Sequence, residues 1–289
     1  MGLISRRELV AGIGSYGTNI SLGYNDKINT PITERDFKKD VLAVDCYSYP
    51  GNVALDALQA DRGAKIICFY LSHSRNRLDS TWSKSSYLYA RDKGWGFLPT
   101  YNGARDVKGR ELRSGQRDAV QAVELMTRVG FPEGTICYLD IEDFYPEFDN
   151  YWAYFRSWCR EIRNLNFYPG AYTVYTNLST VRSLTSALWI AEAPFSPSRF
   201  YKKGERLDVA LKGGLSYKEA YLAGLFPYDP EKYPHGRMFK GAIAVQYAFH
   251  QYPLSSVGNN TEFDYSASIA FDPSSTKAVA SALGIGDLI

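Results

Sequence analysis

Histidine and cysteine are scarce in this chain, with 3 His and 4 Cys among 289 residues. None of the cysteines forms a C-x-x-C pair, and the histidines show no metal-ligand spacing, so a structural zinc site is not expected and no metal or other cofactor is assigned. Cys46, Cys68 and Cys137 sit in short apolar runs and Cys159 in a helical segment. Such cysteines are expected to be buried, reduced and inert; the alternative is one disulfide, for instance between Cys46 and Cys68 on neighbouring strands. An uninterrupted apolar run of about 18 residues is also missing, so a spanning helix is not expected. Charge of one sign is not in excess: 33 basic residues face 31 acidic ones, for a net charge of +2. With no run of Lys and Arg interleaved with aromatics, nucleic acid is not an expected partner.

What the chain does have is apolar bulk and aromatic rings. Hydrophobic residues are 45% of the sequence, enough for one large core. The 23 Tyr, 15 Phe and 5 Trp make 15% of it and occur in loops as well as in apolar runs. Flat rings with a polar handle suit sugars and protein interfaces alike.

From residue 41 onward, short β-branched or aromatic runs alternate with longer helix-like segments, the pattern of parallel strands joined by crossover helices. Strands are predicted at Val41–Tyr47, Lys65–Leu71, Gly96–Tyr101, Thr135–Ile141, Tyr172–Tyr175, Ala187–Ala191, Ile243–Tyr247 and Phe263–Phe271. Between them, Ala119, Val123 and Met126 mark one amphipathic helix, and Tyr151, Phe155, Trp158 and Ile162 another. Six to eight such steps in one domain of residues 41–289 point to an α/β fold, a (β/α)8 TIM-type barrel that is irregular in its last third. A doubly wound open sheet is the other arrangement of the same elements.

Two segments fall outside this pattern. Residues 194–240 are rich in Tyr, Pro, Gly and Lys and read as a loop insertion with one short helix near Tyr217–Ala223. Residues 1–40 read as an N-terminal arm or an atypical export segment. Ser5-Arg6-Arg7-Glu8-Leu9-Val10 resembles the start of a twin-arginine signal, although Ala11–Tyr24 is broken by polar residues and lacks an A-x-A site. Arm and insertion are the two candidate contacts for a protein partner.

The chemistry concentrates at strand ends. In a strand, alternate residues face the same side, so Asp140 and Glu142 share a face that Leu139 and Ile141 do not. At about 3.3 Å per residue, their Cα atoms lie roughly 6 to 7 Å apart. Close carboxylates raise one member's pKa, so a neutral Glu142 could donate a proton while an ionised Asp140 stabilises positive charge or orients a substrate group. Asp45 ends the apolar run of the first strand, and Glu192 and Asp264 occupy comparable strand-end positions. Gln246 adds a neutral hydrogen-bonding group. Tyr70, Tyr101, Tyr175 and Trp189 are expected on the same rim, where they could stack on a sugar. Taken singly, each of these residues suits a structural hydrogen bond as well.

The segments Val44–Gly51, Gly94–Tyr101, Phe131–Thr135 with Tyr138–Glu142, and Tyr168–Tyr172 resemble the glycoside-hydrolase-like domain of bacterial cell-wall and phage proteins. That domain is similar in turn to the family 25 lysozymes, with an Asp on the first strand, D-x-E on the fourth, W-I-A on the sixth and W-Q-Y near the end. Those positions here are Asp45, Asp140 with Glu142, Trp189-Ile190-Ala191 and Val245-Gln246-Tyr247, so the tryptophan of the last motif is replaced by Val245. The resemblance implies a barrel that cleaves peptidoglycan between N-acetylmuramic acid and N-acetylglucosamine, with Glu142 as general acid and Asp140 assisting the substrate's acetamido group. It also implies a place in the cell envelope, outside the cell or on a virion. The competing readings are a non-catalytic barrel binding glycan or protein, as in a phage tail or envelope component, and an enzyme for another polysaccharide.

Overall fold

The computed structural model describes residues 41–71, 82–102, 112–141, 149–174, 177–191, 242–251 and 263–288. Eight strands run through them: β1 (Val41–Asp45), β2 (Ile66–Tyr70), β3 (Gly96–Tyr101), β4 (Ile136–Asp140), β5 (Tyr168–Val174), β6 (Ala187–Ala191), β7 (Ala242–Gln251) and β8 (Phe263–Ser268). The described helices are α1 (Asn52–Arg62), α2 (Lys84–Asp92), α3 (Leu112–Val129), α4 (Asp149–Asn164), α5 (Leu178–Val181) and α6 (Thr276–Leu283). The strands hydrogen-bond in chain order and β8 returns to β1, closing the barrel. Closure settles the choice between barrel and open sheet.

Neighbours from β1 to β7 pair in parallel. The last strand departs from the expected pattern, because β8 runs antiparallel to both β7 and β1. The irregularity expected late in the chain is therefore a reversal of direction, accompanied by register shifts in β7 opposite β8. The N-terminal arm and the 194–240 insertion lie outside the described residues.

The core has two layers. Strand alternation sends one row of side chains into the barrel and the other toward the helices. Outside, Phe69 and Phe97 meet Tyr87 of α2 and Phe131, with Tyr87 and Phe131 rings 4.4 Å apart. Helices α3 and α4 pack closely because position 115 is glycine: a Cβ there would stand 2.1 Å from Ser157 Oγ and 2.3 Å from the Tyr154 carbonyl. On α3 the fully buried residues are Ala119, Ala122 and Met126, while Val123, expected on that face, is only partly covered. On α4 the predicted face of Tyr151, Phe155, Trp158 and Ile162 is buried throughout.

Inside, Tyr138 of β4 fills much of the barrel floor and donates its hydroxyl to the Pro273 carbonyl at 2.7 Å. The ring has room because Gly170 faces it on β5, where a Cβ would meet Tyr138 Cδ1 at 2.7 Å. Pro169 and Gly170 are thus part of a strand that begins at Tyr168, four residues before the predicted start.

Candidate functional site

At the carboxyl ends of the parallel strands, the inward rows turn polar. Asp45 is the last residue of β1 and is 5% exposed. Its Oδ2 accepts from the Tyr70 hydroxyl at 3.2 Å and from Gln246 Nε2 at 3.4 Å. The same Gln246 nitrogen donates to Asp264 Oδ2 at 3.0 Å, so one amide serves two buried carboxylates. Asp264 reaches this end by an unexpected route. It begins β8 rather than ending it, and the reversed direction of that strand brings its start level with Asp45.

The orientation of the Gln246 amide follows from its partners. An ionised carboxylate only accepts, so the side facing Asp45 and Asp264 is the NH2 group. Its Oε1 accepts from the Tyr172 hydroxyl. Tyr172 lies over Trp189 with ring centroids 4.1 Å apart, and Trp189 Nε1 donates to Ser266 Oγ at 3.1 Å. Half-buried Asp140 ends β4 and is in register with Tyr172 of β5. Burial pushes the Tyr70 phenol well above its usual value, and the negative charges of Asp45 and Asp140 add to the rise.

The cysteines nearby are not nucleophiles. All four are free and buried, so Cys46 and Cys68 are not bridged. Cys46 donates to the Ser48 carbonyl at 2.8 Å, and Cys68 Sγ lies 3.2 Å from Thr100 Oγ1. Burial, reinforced by Asp45, pushes the Cys46 thiol up to about 12 and the Cys68 thiol well above the usual range. Both stay protonated near neutral pH. Among the described residues no group of three or more His, Cys, Asp or Glu could hold a metal ion.

A closed barrel with a carboxylate cluster at the strand ends agrees with the comparison of the sequence against known families. The model of the Rv2525c-like, glycoside hydrolase-like domain matches residues 56–261. The chain belongs to this family. No curated protein sequence matches it. Among solved structures, the Tat-secreted protein Rv2525c of Mycobacterium tuberculosis, in complex with L-tartrate, is similar at 15% identity and TM-score 0.53, covering 78% of this chain and 94% of that one. GHIP, a glycosyl hydrolase 25 of Streptococcus pneumoniae, is similar at 13% identity and TM-score 0.51, over 86% and 93%. The modular autolysin LytC of the same organism, solved with a synthetic peptidoglycan ligand, reaches TM-score 0.50 at 11% identity over 79% of this chain and 46% of LytC. At these identities the likeness is one of fold.

Within this Rv2525c-like domain, the residues singled out from the sequence have separate fates. Asp45, Tyr70, Gln246 and Asp264 form one hydrogen-bonded cluster, with Asp140 beside it. Trp189 is inside the barrel but wholly buried, as a donor to Ser266 rather than an open face. Tyr101, expected on the rim, points the other way. It shares the outward row of Phe97, and its hydroxyl donates to Gln121 Oε1 of α3 at 2.6 Å. Glu142, Tyr175 and Glu192 lie outside the described residues. Tyr172, which donates to Gln246, was not among the expected site residues, although it stands in the Tyr168–Tyr172 motif. Starting β5 at Tyr168 and counting by twos along Gly170 and Tyr172 would have found it.

Proposed function

We propose that this Rv2525c-like domain is a glycoside hydrolase of the muramidase type, acting on peptidoglycan outside the cytoplasm. The single observation that carries the reading is the convergence of Asp45 and Asp264 on one Gln246 amide, at the end of the barrel where Asp140 terminates β4. Barrel enzymes keep their chemistry at this end.

In this reading Glu142, the second residue past β4, donates a proton to the glycosidic oxygen as the C–O bond breaks. The acetamido oxygen of the same sugar attacks the anomeric carbon, and Asp140 accepts the acetamido N–H and balances the positive charge of the oxazolinium-like intermediate. Water then opens that ring, giving its proton to Glu142. Asp45, held by Tyr70 and Gln246, supplies a fixed negative charge beside the reacting ring. Secretion or envelope association is supported by the fold shared with a Tat-secreted protein and by the Arg6-Arg7 pair.

The test is reducing-sugar release from purified peptidoglycan by the full chain and by Glu142→Gln, at several pH values. The wild type is expected to release sugar, and the variant to lose about 100-fold to 10,000-fold in rate, the usual worth of a general acid. A folded wild type that sediments with sacculi and releases nothing would make this a glycan-binding barrel instead. Undiminished release by Glu142→Gln would remove that residue from the mechanism.

A further inference from the structure

The aromatic faces expected to hold a sugar are largely sealed, since Tyr70 is 6%, Tyr101 4% and Trp189 0% exposed. Among the described residues, two aromatic side chains are exposed, Tyr47 at 36% and Phe271 at 58%. Phe271 follows β8, whose direction carries it to the opposite end of the barrel. Tyr47 lies two residues past Asp45, at the mouth.

A single exposed ring is ordinary on a protein surface. What separates Tyr47 is the base beneath it. Its ring centroid is 5.2 Å from that of Tyr70 at a tilt of 57°, and Tyr70 is the residue whose hydroxyl donates to Asp45. The backbone on either side is pinned: the Cys46 thiol donates to the Ser48 carbonyl, and the Cys46 carbonyl accepts from Trp82 Nε1 at 3.2 Å. Trp82 in turn holds Tyr49 edge-on at 5.0 Å, and the Tyr49 hydroxyl donates to Asn52. A ring fixed in this way loses little conformational freedom when a ligand covers it.

We propose that Tyr47 is the stacking platform of a sugar subsite flanking Asp45, for a β-linked N-acetylhexosamine oligosaccharide. A pyranose ring has an apolar C–H face and a polar edge. The open side of Tyr47 matches the first, and the acids and amide of the mouth match the second. The proposal rests on the glycan-directed reading above, but it requires binding only and not cleavage.

The experiment measures calorimetric binding of the N-acetylglucosamine tetramer and co-sedimentation with purified sacculi, using the full chain and Tyr47→Phe, Tyr47→Leu and Tyr47→Ala. Tyr47→Phe is expected to stay within about twofold of wild type, while Leu and Ala weaken binding by about tenfold, the worth of one stacking face. Leu separates loss of the ring from loss of bulk, and melting temperatures should coincide for all four proteins. Equal affinity of wild type and Tyr47→Ala, or no binding of either probe by the folded wild type, would overturn the platform. Sugar release is scored in parallel. Tyr47-dependent binding without release sinks the hydrolase and keeps the platform, whereas release by the wild type with an affinity unchanged by Tyr47→Ala sinks the platform alone.

Discussion

The two ends of the barrel interior are built from the same strands and by different forces. Toward the amino ends, Ala43, Ile66, Leu98 and Ile136 form a floor of fully buried hydrocarbon around the Tyr138 ring. Two to four residues further along those rows stand Asp45, Tyr70, Thr100 and Asp140, joined from the other side by Tyr172, Gln246 and Asp264. The row on β8 makes the same transition in reverse chain order, from Ser268 through Ser266 to Asp264, because that strand runs backwards. The floor is held by close packing, which has no preferred partner and tolerates little change of volume. The mouth is held by directional bonds, each costly if left unmatched and each able to fix a charge in place.

Substitutions at the two ends should therefore fail in different ways. The largest effect is expected on the floor. Gly170→Ala drives a Cβ to 2.7 Å from Tyr138 Cδ1 and 2.9 Å from Ile136 Cγ2, and should cost about 3 kcal/mol by overpacking. Urea unfolding measures it, and a loss of the same size at all pH values between neutrality and pH 9 would mark it as steric. At the mouth, Gln246→Leu keeps the bulk and removes the shared donor of Asp45 and Asp264. A loss of about 2 kcal/mol is expected, from the desolvated carboxylates. Urea unfolding measures this loss too. An unchanged stability in Gln246→Leu would show that Gln246 serves as packing alone, and the two ends would then be alike.

Legibility from the sequence also divides along this line. Strands β3 and β6 coincide with their predicted spans, because Gly96 and Pro194 punctuate them sharply. The family was legible from ordered motifs, none of which depends on how a strand is oriented. Direction was not legible: alternation looks the same read forwards or backwards, so β8 passed for one more parallel strand. Asp264 was accordingly placed at the right mouth for the wrong geometric reason. Tyr101 was lost to parity, since the row of Phe97 and Tyr101 faces the helices. Pro169 and Gly170 hid the start of β5, for breakers announce a turn unless one sees that the gap left by Gly170 is filled by Tyr138.

The smallest expected effect sharpens the comparison through a residue type common to both ends. Tyr70 at the mouth and Tyr138 on the floor are both buried phenols, raised well above 10 chiefly by desolvation. For each, the folded value exceeds the unfolded one. The unfolded chain therefore loses its phenolic proton first, and the stability that the neutral phenol contributes is complete below about pH 10 and declines as pH rises beyond it. Asp45 adds its charge to the rise at Tyr70, whereas the charge acting on Tyr138 is that of Asp272. Tyr70→Phe removes one bond to Asp45 and should cost about 1 kcal/mol at pH 7, with Gln246 still donating to the same oxygen. Above pH 10 that cost should narrow, because the wild type then carries the penalty that the variant lacks. Urea midpoints from pH 7 to 11 follow this directly. Parallel curves for wild type and Tyr70→Phe would mean that the Tyr70 phenol ionises as freely in the folded barrel as in the unfolded chain, and that the mouth is wetter than its hydrogen bonds imply.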